Sequence, residues 1–180
     1  MVSYSETWAS KISEIEKALS IVGWGITERI PYPLELQIDI EISELPEEIE
    51  EELKQSVKRY RDCDYSGAVT SICGAIDLLT ENIYFKNNIG DHKSAAYQER
   101  ISKSFKTKRK EYMDVLKSHG ISTPNADLLW SNLSKSISQA GYVLGAYRRE
   151  FADVHGSKEL DSIISQRTLD TAIFIIRNLL

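Results

Sequence analysis

The stretch YRREFADVHGSKEL, residues 147–160, sets two adjacent arginines, an aspartate and a histidine close together. Six residues separate Arg148 from His155, five separate Arg149 from it, and Asp153 lies between. Histidine titrates near neutral pH, so His155 can take a proton from a ribose 2′-hydroxyl or return one to a leaving 5′-oxygen. Arginine keeps its charge and forks two N–H donors onto phosphate oxygens, stabilising a phosphorane as its charge develops. Asp153 could orient the imidazole or cap the next helix. The same four residues also read as an ordinary solvated helix end, and spacing alone does not choose between the two.

Other chemistries find little support. GWG at residues 23–25 has neither the spacing nor the lysine of a phosphate loop. His92, His119 and His155 have no partners at metal-ligand spacing, so no metal and no cofactor is expected. No nucleophile-elbow signature appears. The acidic run PEEIEEEL is better read as a helix N-terminus, where carboxylates meet the positive end of the helix dipole. His92 and His119 stand in loop-like contexts and read as surface residues.

These residues must be positioned by helices. Trp8, Ile12, Ile15, Leu19 and Val22 recur at helical spacing, and Gly23 and Gly25 would end that helix. Leu34, Leu36, Ile38, Ile40 and Ile42 then alternate with polar residues, the period of a strand with one buried face. With no second strand in view, that segment is expected to run extended over a helical core or to pair with another subunit. Beyond it, Pro46 and five glutamates open a helix carrying Ile49, Leu53, Val57 and Tyr60. Asp64 is expected to cap the next one, which carries Ala68, Ile72, Ala75, Ile76, Leu79 and Ile83.

Ile101, Phe105, Tyr112, Val115 and Leu116 suggest one basic helix ending near Gly120. Helices over about 126–149 and 163–180 complete the pattern. The expectation is an all-α bundle of five to six helices, with an N-terminal helix and an extended segment. A composition break near residue 44 divides an appendage, 1–44, from a helical domain, 45–180.

Of 180 residues, 42% are hydrophobic and 27% charged, ordinary for a globular chain. Cys63 and Cys73 would lie roughly 15 Å apart along one helix, too far for a disulfide, and are expected to be buried and reduced. No apolar run approaches the about 20 residues needed to span a bilayer. The N-terminus has no signal-peptide core, so a cytoplasmic location and no membrane partner are expected.

The net charge of −5 is uneven: residues 1–64 carry 15 acids against 7 bases. Residues 93–117 are basic, and Lys103, Lys106, Lys108, Arg109 and Lys110 are the candidates for RNA contact there, against the plainer reading of a solvated helix face.

YRREFADVHG followed by QRTLDTAIFIIRNLL resembles the C-terminal domain of abortive-infection proteins, a branch of the HEPN superfamily of α-helical ribonucleases. Arg148, Asp153, His155 and Gly156 match the motif, and the upstream RDCDYSGAVTSICGAIDLLTENIY resembles the family's paired helices. The resemblance covers roughly residues 46–180. Arg149 stands where the family usually has Asn or Asp, Ala152 replaces a Gly, and Ser157 replaces the Tyr that some members present to a modifying antitoxin.

The resemblance implies a metal-independent endoribonuclease of a prokaryotic antiviral or toxin system, cutting RNA through 2′-hydroxyl attack. It further implies a homodimer with a composite active site and an antitoxin or other defence protein as partner. His155 would be the general acid or base, Arg148 or Arg149 the phosphate clamp, and Asp153 a support. The rival readings are a non-catalytic helical module for dimerisation, partner binding or nucleotide sensing, and a plain nucleic-acid binder acting through residues 93–117.

Overall fold

A computed structural model of the chain describes Lys11, Ile15 and residues 24–27, 30–33, 45–152 and 160–180. The chain divides into two compact units, Met1–Ile40 and Glu41–Leu180.

In the first unit Lys11 and Ile15 are helical. Strand β1 (Trp24–Thr27) pairs antiparallel with β2 (Ile30–Pro33), in the register Trp24 with Pro33 through Thr27 with Ile30. The sequence suggested no such ribbon, because Gly25 reads as a helix terminator; β2 itself carries Pro31 and Pro33. In a two-stranded ribbon each strand is an edge, where a proline can turn its missing donor away from the partner. The alternating segment 34–42 lies outside the described residues, as does most of the expected first helix.

The second unit is all-α. Its elements are α1 (Glu47–Arg61), α2 (Tyr65–Asn87), α3 (Tyr97–Lys106), α4 (Arg109–Ser118), α5 (Thr123–Phe151) and α6 (Ser162–Leu179). Pro46 precedes the acidic first turn of α1, and Glu50 pairs with Lys54 one turn on. Asp64 caps α2 by accepting from the Gly67 N–H at 2.9 Å. The tight α1–α2 connection puts Cys63 at φ 61°, in the left-handed region. That leaves Cys63 exposed, contrary to expectation, while Cys73 is buried in α2.

Helix α2 buries Ala68, Val69, Ile72, Cys73, Ala75, Ile76 and Leu79, and packs against α1, α3, α5 and α6. A helix that is apolar nearly all round belongs at the centre of a bundle, and α2 sits there. Helix α6 covers it with Leu169, Ala172, Ile173, Ile175, Ile176 and Leu179, and Asp161 caps α6 through the Ile164 N–H at 2.8 Å. The final helix therefore takes its cap from Asp161; Asp153 lies outside the described residues.

The single basic helix expected after residue 100 is two, broken at Thr107–Lys108. The break lets Ile101 and Phe105 of α3 and Met113 of α4 all point inward, whereas one straight helix would have kept Val115 in the core; Val115 is 52% exposed. Helix α5 spans 29 residues, about 44 Å at 1.5 Å per residue. Its Trp130 stacks on Phe105 with ring centroids 4.7 Å apart, and Ile137 and Leu144 are fully buried further along. Gly141 allows Ile101 close to the helix backbone, since a Cβ there would lie 3.2 Å from the Ile101 Cδ1. The far end of this long rod carries Arg148. Among the described residues, no helix is long and apolar enough to cross a membrane.

Candidate functional site

A part-buried carboxylate in a largely apolar helix is favoured by a cation, because withdrawing a charge from water is costly. Asp77 of α2 has two. Its Oδ1 accepts from Arg100 Nη1 of α3 at 3.0 Å, and its Oδ2 accepts from Arg148 Nη1 of α5 at 2.7 Å. One aspartate thus ties α2 to the next helix, α3, and to the distant α5.

Each guanidinium is held further. Arg100 Nε donates to the Ala95 carbonyl at 2.8 Å, fixing the turn that leads into α3. Arg148 Cζ stands 5.0 Å from the centroid of the Tyr97 ring, within cation–π range. The Tyr97 hydroxyl reaches toward the Cys73 carbonyl at 3.5 Å.

Electrostatics follow from this packing. Burial works against the Arg148 charge, but the Asp77 carboxylate beside it outweighs that cost, so the guanidinium holds its proton more firmly than usual. Burial pushes the Cys73 thiol up to about 12, and the Tyr97 phenol rises well above its ordinary value, again chiefly through burial. Around the Arg148 cation, both groups stay neutral at physiological pH.

Arg148 also lines a cavity of about 270 Å³, together with Glu52, Arg59, Thr70, Ser71, Gly74 and Ala152. It sits in the last turn of α5, where unsatisfied carbonyls favour a cation. Arg149, the next residue round the helix, is exposed and is not among the cavity's walls. Across the cavity, Arg59 Nη1 donates to the Gly67 carbonyl at 3.1 Å, and its Nε lies 3.8 Å from Asp64 Oδ2.

Family models, curated proteins and solved structures offer no match to this chain. Function is therefore argued from the residues themselves.

Of the four expected catalytic residues, Arg148 and Arg149 are described, while Asp153 and His155 lie outside the described residues. Asp77, Tyr97 and Arg59 were missed by sequence reasoning. For Asp77 the signal was present: an acid set between Ile76 and Leu78 in a helix apolar on every side.

The basic surface divides. Lys103 pairs with Glu99 at 2.8 Å, and Lys108 reaches Glu111 and the Leu180 carbonyl. Arg109 pairs with Asp127 at 2.9 Å. Lys106, Arg109, Lys110 and Lys117 line a groove of about 480 Å³ at the α3–α4 break, with Asp114 and Asp127 also in its walls.

His92 is not the free surface residue expected. Its Nε2 lies 3.0 Å from Thr80 Oγ1, and its ring meets Tyr84 edge-on at 5.2 Å. Burial first, and then Arg100, lowers its pKa. His119 is exposed, with Nδ1 2.9 Å from the Val115 carbonyl, closing α4. Among the described residues, no cluster of three His, Cys, Asp or Glu could hold a metal.

Proposed function

We propose that the chain is a metal-independent endoribonuclease of a prokaryotic antiviral or toxin system, acting in the cytoplasm. The observation that carries this reading is Arg148: a guanidinium held by Asp77 and Tyr97, yet forming part of a cavity wall in the last turn of α5, seven positions before His155 in the sequence. An arginine whose fork is already oriented loses little freedom on meeting a phosphate.

In this reading His155 takes the proton from a ribose 2′-hydroxyl, and O2′ bonds to phosphorus. The P–O5′ bond breaks, and a proton returns to the leaving 5′-oxygen. The products are a 2′,3′-cyclic phosphate and a 5′-hydroxyl. Arg148 stabilises the phosphorane charge, a contribution of about 10²–10³ in rate for a well-placed donor; His155 adds about 10²–10⁴. Arg149 and Asp153 support this pair. RNA beyond the scissile bond runs toward the basic groove at Lys106, Arg109 and Lys110. Two copies of the chain complete the active site, and an antitoxin or other defence protein restrains it.

Purified protein is expected to cleave RNA in EDTA and leave cyclic-phosphate ends detectable by mass spectrometry. His155→Ala and Arg148→Ala should each lose at least about a hundredfold in rate. A strict need for added divalent metal, or a fully active His155→Ala protein, would sink the reading.

A second reading rests on a different surface. Val143 and Phe174 are each 39% exposed and line a groove of about 510 Å³ between α5 and α6, with Ala140 and Tyr147. A groove with this apolar floor, also lined by Arg167, Asp170 and Thr171, suits a helical module that docks a partner without catalysis. That module would leave RNA intact, and changing Val143 and Phe174 to Asp would abolish the association while the monomer stayed folded.

A further inference from the structure

Glu52 and the two arginines of the cavity make contrary demands on a ligand. Arg59 and Arg148 stand in its wall, each steadied by its own carboxylate, Asp64 at 3.8 Å and Asp77 at 2.7 Å. Two fixed guanidiniums with Thr70 beside them form a receptor for phosphate oxygens. Glu52, from α1, lies in the same wall and would repel a bare anion. It can only accept hydrogen bonds, so it calls for a ligand carrying a hydroxyl or amine donor beside its anionic group.

Gly74 sets the room available. A Cβ there would stand 3.5 Å from the Glu52 carboxyl carbon, so its absence brings the backbone of α2 to the cavity face. The volume of about 270 Å³ falls just below the about 300–1,000 Å³ usual for small-molecule pockets. It is too small for a triphosphate and suits one phosphate with its sugar and base edge.

We propose that this cavity binds a single nucleoside phosphate, with the phosphate on Arg59 and Arg148 and a ribose hydroxyl or base amine on Glu52. The nucleoside phosphate comes either free or as one residue of an RNA strand. The inference rests on the proposed ribonuclease reading for Arg148 as a phosphate clamp, but it is measured by binding, so the two can fail separately.

The test is calorimetric titration of full-length His155→Ala protein, which cannot consume RNA in that reading. The titrants are adenosine 5′-monophosphate, adenosine, inorganic phosphate and a short oligoadenylate. The mononucleotide is expected to bind at least about tenfold more tightly than adenosine or inorganic phosphate, as loss of one charge-assisted hydrogen bond would give. Arg59→Ala should weaken it about ten- to a hundredfold, and Gly74→Leu should block it by filling the cavity.

Arg59→Lys keeps the charge and spares the α1–α2 contact, so it reports on the guanidinium fork if Arg59→Ala melts early. It too should weaken binding. Tighter binding of the oligoadenylate would assign the site to an RNA residue, and equal affinity would assign it to a free nucleotide. The proposal falls if inorganic phosphate binds as well as the mononucleotide, or if Gly74→Leu and Arg59→Lys bind like the parent. Absence of RNA cleavage by the parent protein, with this binding intact, would overturn the ribonuclease reading alone.

Discussion

Among the described residues of the helical unit, two gatherings of positive charge work differently. Around Asp77, Arg100 and Arg148 are part-buried, 20% and 30% exposed, and converge on one carboxylate from two helices. Along α3 and α4, the lysines mostly lie in water and meet acids one helical turn away, as Lys103 meets Glu99. The first arrangement constrains the fold and the direction of a guanidinium. The second supplies field without geometry, and a surface pair of that kind adds little to stability. Density of charge in the sequence pointed to the second place, whereas the structural work is done by the first.

The sharpest way to break this contrast is Asp77→Ala. It strands two guanidiniums that have lost their shared acceptor, and removing one partner of a buried ion pair commonly costs about 3–5 kcal/mol. Partial exposure of all three groups lets water screen the loss, so about 2–4 kcal/mol is expected. At roughly 2–4 °C per kcal/mol for a chain of this size, thermal denaturation should move down by about 10 °C. Lys103→Ala, by contrast, should leave the melting temperature where it was. If the two variants melted alike, the distinction between the two places would be lost.

The second effect concerns chemistry more than stability. Asp77→Asn keeps the shape of the side chain but removes the charge that orients Arg148. Under the proposed ribonuclease reading, it should lower cleavage by about tenfold or more while changing RNA affinity less, because a positioning loss falls on the transition state. Lys106→Gln with Lys110→Gln should do the opposite. Affinity would fall, the slope of log affinity against log salt would shrink by about one per lysine, and the rate at saturation would be unchanged.

These residues also mark what could be read in advance. The all-α class, the Asp64 cap and the inward face of α2 were legible, because a 3.6-residue period and a capping carboxylate are local signals. Local signals do not settle every face: Leu128 and Leu129 have the right spacing for the core of α5, yet they are 60% and 43% exposed while Trp130 and Ala126 are buried. Which stripe of a 29-residue helix faces inward is decided by its neighbours, and that information is not in the helix. Asp77 with Arg100 and Arg148 is a contact across 23 and 71 residues. A motif search finds one of its arginines and none of its geometry. The ribbon at residues 24–33 was missed for a related reason, since pairing, and not strand propensity, is what made prolines acceptable there.

A third test sharpens the cavity side of the comparison. Gly74 lies within α2, where glycine is about 0.5–1 kcal/mol less favourable than alanine. A Cβ at this position meets Glu52 at 3.5 Å, an ordinary contact. Gly74→Ala should therefore stabilise the protein by about that amount, and urea titration would read it as a later midpoint at unchanged slope. A net loss would mean that α2 cannot accept even a methyl group against α1.

The smallest expected effect separates His92 from the other charged groups around Asp77. Its pKa is held below the ordinary histidine value by burial and by Arg100, with Asp77 acting in the opposite direction. The unfolded chain therefore takes up a proton more readily than the folded one as pH falls through the ordinary histidine range, near 6.5. The stability this group contributes is complete above that range and is lost as pH drops toward the lowered folded value. Stability should thus rise with pH across the weakly acidic region, with His92 supplying part of the slope. His92→Gln can still hydrogen-bond to Thr80 but cannot titrate, so the slope should flatten while stability at pH 8 changes little. Carried out in the Asp77→Asn background, the same measurement tests the coupling. Losing the aspartate removes a charge that favours protonated His92, so its pKa should fall further and the acid-side loss should extend to lower pH. A slope indifferent to Asp77 would mean that the part-buried cluster ends at Arg100 and does not reach the loop before α3.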